Sequence, residues 1–336
     1  MGTNVGLDIG YSNAKAVFSG GEEGYQEVVF PVGVSRLDQF NRQIKGITGG
    51  NVETTTVLID GVEYAAGIEP GKVVGSARDI TENYSKTMQY RALFYAALLH
   101  ANDTEIDRLV TGLPVSHWQN EELKNQIKEM MQGQHQVANK RTVTVNEVEI
   151  IPQPGGAFLD AIHFAETEGD QETVDDLTEG SVLIIDPGFY STDFVVFDEG
   201  ELNAELSGTT LQATSRIIDR VAELISQDYG AAPGKSLKPE KIESMLRANS
   251  LTARYAGQKI DISPYKHQSS EEVSEVAISE IAGSMRNAVI DTVVIAGGGG
   301  EYFEPQARRI FSHCGVVKAA DPVLAIARGY HGWAAR

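Results

Sequence analysis

Apolar runs and polar turns alternate along the chain in a pattern typical of short strands and amphipathic helices. Residues 4–8 and 14–18 are apolar segments around a tight polar turn, which predicts two paired strands, and residues 28–34 extend the same sheet. Further strands are predicted at 54–59, 62–66, 106–113, 142–152, 181–186, 192–197 and 292–296, and helices at 86–100, 120–131, 157–165, 211–229, 239–248, 270–288 and 322–333.

The same opening occurs twice. Each half of the chain begins with a strand, an Asp-x-Gly turn and a second strand, first at Asp8-Ile9-Gly10 and then at Asp186-Pro187-Gly188. The acidic segment 166–179 lies between the halves and is predicted to be a linker. At about 150 residues per domain, 336 residues also predict about two domains.

Composition excludes several classes of protein. The formal net charge of −19 disfavours direct contact with DNA or RNA, because neutralising phosphates needs patches of Lys and Arg. No run approaches 18 apolar residues, and the first residues lack the basic and apolar regions of a secretory signal. The single cysteine, Cys314, suits a reducing compartment. These features predict a cytoplasmic protein without a membrane partner.

The first turn carries groups that suit a phosphate. Gly10 permits the tight turn, and such a turn can point consecutive backbone N–H groups at an anion. Ser12 and Asn13 add side-chain donors, and Lys15 adds a positive charge. Asp8 stands at a strand end, where a carboxylate can hold hydrated magnesium. The alternative interpretation is a surface hairpin with a polar tip.

The second turn has the same hydroxyls and carboxylates but no cation. Ser191 and Thr192 supply donors, and Asp186 and Asp193 supply carboxylates. No Lys or Arg occurs from 142 to 215, so phosphate binding here would need a bridging magnesium ion and help from Lys15. Asp193 fits the metal site, or it caps a strand.

Two other glycine-containing segments match phosphate-binding patterns only in part. Gly234-Lys235-Ser236 resembles the end of a P-loop, but position 229 is Tyr and a helix precedes it, which favours an interhelical loop. The run Gly297–Gly300 follows a strand, so it is either a close approach to a ligand or a simple strand-to-helix turn. The scattered histidines form no zinc motif, and no G-x-S-x-G elbow occurs.

Six segments, taken in order, resemble the actin-like ATPases, and the likeness is greatest to the ParM/StbA plasmid-segregation branch, including the PRTRC system protein D type. They are VGLDIGYSNAKAV (5–17), TGLPVSHW (111–118), IIPQPGGAFLDA (150–161), LIIDPGFYSTDFVVF (183–197), VVIAGGGGEYF (293–303) and DPVLAIARGY (321–330). The resemblance implies an α/β, actin/ribonuclease H-like fold, with two related domains around a nucleotide cleft. The implied bounds are 1–165 with a small outer subdomain near 35–85, 166–320, and a helix at 321–336 that returns to the first domain.

The resemblance also implies roles for individual residues. Gln153 and Asp186 would be catalytic, with Gln153 orienting the attacking water. Asp8, Asp186 and Asp193 would face Mg²⁺. The nucleotide, ATP or GTP, would contact Gly10, Tyr11, Ser12, Asn13, Lys15, Gly188, Phe189, Tyr190, Ser191, Thr192, Arg216, Gly297, Gly298, Gly299 and Gly300. Many relatives carry small residues in place of Tyr11, Phe189 and Tyr190, which leaves affinity and hydrolysis rate open.

The implied function is a cytoskeletal ATPase that polymerises with ATP and Mg²⁺ and moves plasmid DNA through a DNA-binding adaptor. Its expected partners are copies of itself and that adaptor, without direct nucleic-acid contact. Two alternatives keep the fold: a small-molecule kinase or phosphatase, and a nucleotide-gated ATPase that does not polymerise.

Overall fold

The structure is a computed structural model that describes residues 2–20, 24–44, 53–69, 83–230, 237–285 and 288–336. The P-loop-like segment 234–236 and parts of the predicted outer subdomain, 45–52 and 70–82, lie outside these ranges. Strands and helices alternate through the described chain, and the predicted α/β class is confirmed.

The first large sheet has the strand order β3-β2-β1-β7-β9-β8. β1, β2 and β3 pair antiparallel, whereas β1 with β7 and β7 with β9 pair parallel. The strands are β1 (Thr3–Ile9), β2 (Asn13–Ser19), β3 (Tyr25–Pro31), β7 (Glu105–Leu113), β8 (Gly133–Ala138) and β9 (Arg141–Pro152). β1 is buried along most of its length, as expected for a central strand covered on both faces.

The second large sheet repeats this beginning, with the order β12-β11-β10-β15-β16. β10 pairs antiparallel with β11, and β11 pairs antiparallel with β12. On its other side, β10 pairs parallel with β15. The strands are β10 (Ser181–Pro187), β11 (Thr192–Asp198), β12 (Glu201–Thr210), β15 (Thr292–Ile295) and β16 (Gly315–Lys318). The two predicted Asp-x-Gly turns therefore occupy equivalent places, between the first two strands of each sheet.

Smaller sheets and the helices complete the fold. β4 (Gly33–Arg36), β5 (Thr55–Ile59) and β6 (Val62–Ile68) form a three-stranded sheet, and β13 (Thr252–Tyr255) pairs with β14 (Gln258–Asp261). The helices are α1 (Leu37–Ile44), α2 (Met88–His100), α3 (Val115–Trp118), α4 (Glu121–Met131), α5 (Gln153–Glu168), α6 (Gln171–Glu179), α7 (Thr214–Tyr229), α8 (Pro239–Arg247), α9 (Ser263–Met285), α10 (Gly300–Ile310) and α11 (Ala325–Ala334), with a short 3₁₀ helix at Tyr84–Lys86.

The predicted linker at 166–179 is wrong for most of its length, because α6 occupies it. The Asp170 side chain accepts a hydrogen bond from the backbone N–H of Thr173, which caps the helix, and Leu177 is buried. An acidic composition therefore concealed a capped amphipathic helix.

Helices α5 and α11 pack against each other and against the strands. α5 contacts β10 and β11 of the second sheet, while α11 contacts β1 and β7 of the first. The helices approach closely at Gly156 and Gly329, where an added Cβ on Gly329 would overlap the Gly156 carbonyl oxygen. A shared core that includes Val110, Ile184 and Ile326 joins both halves, which positions the two turns relative to each other. The domain bounds given above stay predictions.

Candidate functional site

The two hairpin turns have the same local construction. In the first, the Gly10 N–H donates to the Asn13 carbonyl at 3.1 Å. In the second, the Gly188 N–H donates to the Ser191 carbonyl at 2.9 Å. The strand registers also correspond, because Asp8 lies opposite Lys15 and Asp186 opposite Asp193.

Both turns line one cleft, a cavity of about 230 Å³. The predicted site residues that line it are Gly10, Tyr11, Ser12, Asn13, Lys15, Gln153, Asp186, Gly188, Phe189, Tyr190, Ser191, Asp193, Gly297, Gly298 and Gly299. Four predicted residues do not: Asp8 lies behind the lining, Thr192 bonds to the Gln212 carbonyl, Arg216 is exposed, and Gly300 begins α10. Their roles toward a nucleotide stay predictions.

Asp8 is the centre of a buried polar network. Its side chain is 1% exposed, with Oδ2 2.5 Å from Lys15 Nζ and Oδ1 accepting a 2.7 Å hydrogen bond from Gln153 Nε2. Gln153 reaches it because β9 ends at Pro152 and Gln153 is the first residue of α5. The network brings the predicted cation, carboxylate and water-orienting amide together.

Asp186 lies nearby but takes no part in the hydrogen bonds and the ion pair that hold Asp8. Burial raises the pKa of its carboxyl to about 8, and the negative charges of Asp8 and Asp193 add to the effect while Lys15 opposes it. In the described ranges, no hydrogen bond or ion pair engages this carboxylate. A carboxyl of this kind is mostly protonated at neutral pH, and a nearby cation would favour its ionised form.

Asp193 differs from Asp186 because three donors hold it. Its Oδ1 accepts from the Val115 N–H at 3.0 Å and from the Thr209 hydroxyl at 2.5 Å, and its Oδ2 accepts from Ser191 at 2.8 Å. Burial raises its pKa, and these hydrogen bonds act in the opposite direction. Among the described residues, no three His, Cys, Asp or Glu side chains form a group that could hold a metal ion. Asp193 is thus a connection between β11 and the start of α3.

The glycine run closes the cleft from the second sheet. Gly297 has a left-handed φ of +71°, and an added Cβ there would overlap Asp186 Oδ1. An added Cβ on Gly299 would lie 2.6 Å from Thr214 Oγ1, whereas nothing lies within 4 Å of one on Gly298. Gly297 and Gly299 are therefore required by packing, and Gly298 presents open backbone to the cleft.

The large aromatic side chains of the turns pack on one another. The Tyr11 ring stacks on Tyr84 with centroids 4.7 Å apart and lies 4.8 Å from Tyr190 of the second turn. Phe189 packs with the buried cluster of α7 and α8. Tyr11 and Tyr190 thus form a contact between the turns.

Sequence reasoning missed a second contact across the cleft. Arg247 of α8 donates to Ser12 Oγ and pairs with Glu243 Oε1 at 2.6 Å, and the Ser12 hydroxyl donates to Glu243 at 3.1 Å. The i,i+4 spacing of this pair was visible, but nothing local placed it beside a turn more than 230 residues away. Other missed residues that line the cleft are Thr214, Ile218, Leu246, Tyr302 and Val323.

Two family models match the chain, one in each half. The model of the actin-like protein N-terminal domain matches residues 6–156, and the model of the archaeal MreB-like actin homologue C-terminal domain matches 184–308. The two models cover both halves of the chain in order. The chain therefore belongs to the actin-like proteins, as its motifs predicted.

Solved structures show the same fold over the full length. A non-polymerisable quadruple mutant of pCBH ParM is 20% identical with a TM-score of 0.74, and a 15-stranded ParM filament from Clostridium botulinum is 21% identical with a TM-score of 0.70. The archaeal actin homologue Ta0583 in complex with ADP is 18% identical with a TM-score of 0.71. Each alignment covers 99% of both chains.

Two further searches, one among curated proteins and one among the helices of this chain, give negative results. A search of curated protein sequences finds no significant match. Across the part of the chain that the structure describes, no helix combines the length and apolar character needed to cross a bilayer.

Proposed function

We propose that this protein is an actin-like ATPase that binds ATP with Mg²⁺, assembles into filaments and hydrolyses the nucleotide. The observation that carries the proposal is the meeting of both Asp-x-Gly turns with the Asp8–Lys15–Gln153 network in one cleft. Phosphoryl transfer to water needs positioned phosphates, neutralised charge and an oriented water, and each need has a candidate group here.

The phosphate contacts are assigned to the turns. Backbone N–H groups and the Asn13 amide would donate to the phosphates. The hydroxyls of Ser12 and Ser191, which donate to Glu243 and Asp193, would turn toward the phosphates when the nucleotide binds. Lys15 provides the positive charge, and its ion pair with Asp8 holds it at the cleft. The adenosine is assigned to the glycine run, because Gly298 leaves room for it.

The donor set fits magnesium. Mg²⁺ in phosphate-binding sites is ordinarily held by one or two carboxylates together with substrate phosphates and waters. Asp8 and Asp186 would hold it, since both are buried at the cleft and Asp186 lacks a protein partner in the described part of the chain. When bound, the ion would neutralise developing charge on the phosphates. Asp193 would keep the second turn in place.

Gln153 is assigned the role of orienting the attacking water. Its amide donates to Asp8, and its backbone carbonyl accepts from the buried Tyr330 hydroxyl at 3.1 Å. The first contact orients the side chain and the second fixes the backbone that carries it. A restricted orientation is what hydrolysis by a positioned water requires.

Two parts of the proposal, filament formation and DNA segregation, are supported by similarity to solved structures and by the net charge of the chain. A ParM filament has the same fold, and the acidic charge of this chain suits a DNA-binding adaptor better than direct DNA contact. The proposal therefore includes self-assembly and an adaptor partner, with a role in DNA or plasmid segregation.

Light scattering with parallel phosphate release, after addition of ATP and Mg²⁺, tests the proposal. We expect scattering to rise and then to decay as phosphate appears. Gln153→Ala should retain assembly but slow phosphate release at least tenfold, whereas Gln126→Ala on α4 should behave as the wild type. Phosphate release without scattering would favour a non-polymerising ATPase, and transfer to a small hydroxylated acceptor would favour a kinase. If ATP is inactive, GTP is the second nucleotide to test.

A further inference from the structure

A small cavity of about 20 Å³ lies next to the cleft, beside the first turn. Its walls include Gly10, Ser85, Tyr90, Gly112 and Gln153. Gly10 and Gln153 also line the large cleft, so they separate the two spaces. The cavity therefore adjoins the residue assigned to orient the attacking water.

Two hydroxyl groups in these walls make no hydrogen bond of normal geometry in the described structure, although the Thr111 hydroxyl lies close enough to Tyr90 to oppose part of the burial-driven rise in the Tyr90 pKa. Tyr90 Oη and Ser85 Oγ are both buried, and their residues are only 2% and 5% exposed. The neighbouring Tyr84 hydroxyl, in contrast, donates to the Gly10 carbonyl at 3.2 Å. Buried polar groups in native proteins nearly always bond to protein or to ordered water, so these two hydroxyls indicate a water.

The volume and the chemistry fit a single water molecule. A cavity needs roughly 10–15 Å³ to hold one water, and that water needs two to four polar partners. Tyr90 and Ser85 provide two partners. Gln153 also lines the cavity and its Oε1 is an acceptor, so we assign the Gln153 amide as the third partner. The space is too small for a phosphate.

We propose that this cavity holds one ordered water that links the Tyr90 and Ser85 hydroxyls to Gln153, and that Tyr90 and Ser85 are positioning residues for nucleotide hydrolysis. In this arrangement the water restricts Gln153 Oε1, and Asp8 restricts Gln153 Nε2. The positioning role rests on the proposed ATPase function, but the water itself does not.

Unfolding equilibria test the water without any nucleotide. If Tyr90 bonds to water, Tyr90→Phe should raise the unfolding equilibrium constant about fivefold, because a hydrogen bond is lost. If the hydroxyl is truly unsatisfied, its removal should leave stability unchanged or increase it, which would overturn the proposal. Ser85→Ala is the second variant. A shared water predicts that the double variant is less destabilised than the product of the single effects, and strict additivity would also contradict it.

Steady-state hydrolysis tests the positioning role. We expect Tyr90→Phe to lower kcat for ATP about fivefold with little change in KM, since the ground-state phosphate contacts remain. Tyr95→Phe is the matched control on α2, because its hydroxyl accepts from Arg91 and lies outside both cavities, and its kcat should not change. Destabilisation of Tyr90→Phe with an unchanged kcat would make the water purely structural. If the wild type hydrolyses no nucleotide, the ATPase proposal fails, while the unfolding experiments still decide the water.

Discussion

Two neighbouring glycines of the run after β15 should differ in how much an alanine substitution lowers the stability of the protein. Gly297 has φ +71°, where an alanine costs about 1–2 kcal/mol. Its added Cβ would also overlap Asp186 Oδ1 and lie 3.0 Å from the Pro187 carbonyl oxygen, and overpacking of this kind costs about 1–3 kcal/mol more. Gly297→Ala should therefore destabilise the protein by roughly 2–5 kcal/mol, whereas Gly298→Ala should change stability by less than about 0.5 kcal/mol.

Thermal unfolding of both variants, in the absence of nucleotide, measures this difference. Gly297→Ala should lower Tm by at least about 3 °C. Gly298→Leu extends the test to binding: its side chain should enter the cleft and weaken nucleotide affinity more than about tenfold by calorimetry, with Tm unchanged. Equal stability of Gly297→Ala and the wild type would refute the left-handed turn and its contact with Asp186.

Three further outcomes follow from the cleft. Because the folded protein keeps a proton on Asp186 up to about pH 8 while the unfolded chain releases it near 3.8, stability should fall between these values, by at most about 1.4 kcal/mol per pH unit. Asp186→Asn should remove this slope in urea titrations of the metal-free protein, and parallel slopes would contradict the shift. Asp186→Asn should also weaken Mg²⁺-dependent nucleotide binding, and calorimetry showing unchanged affinity would assign the ion elsewhere. Arg247→Ala should speed the release of a fluorescent nucleotide. It should cost under about 1 kcal/mol of stability, because the ion pair between Arg247 and Glu243 is partly exposed. Arg309→Ala, which loses an ion pair to Glu275 outside the cleft, is the control.

The strength of local sequence signals explains which elements could be predicted. Asp60-Gly61 marked a hairpin, and both residues adopt positive φ there. The cap and buried Leu177 of α6 were also in the sequence, but the surrounding acidic residues resembled a linker. Short pairs such as β13 and β14 have only four residues each, which is too few for a clear alternation pattern.

For the candidate site, the sequence by itself determined both Asp-x-Gly turns, because a hairpin depends on residues that are adjacent in the chain. It also determined that Gln153 follows a strand and begins a helix. Only the tertiary structure decided that Arg247 meets Ser12 and that Tyr90 and Gln153 share a small cavity. Those contacts join residues far apart in the chain, and they depend on how two sheets pack around α5 and α11, which no local pattern encodes.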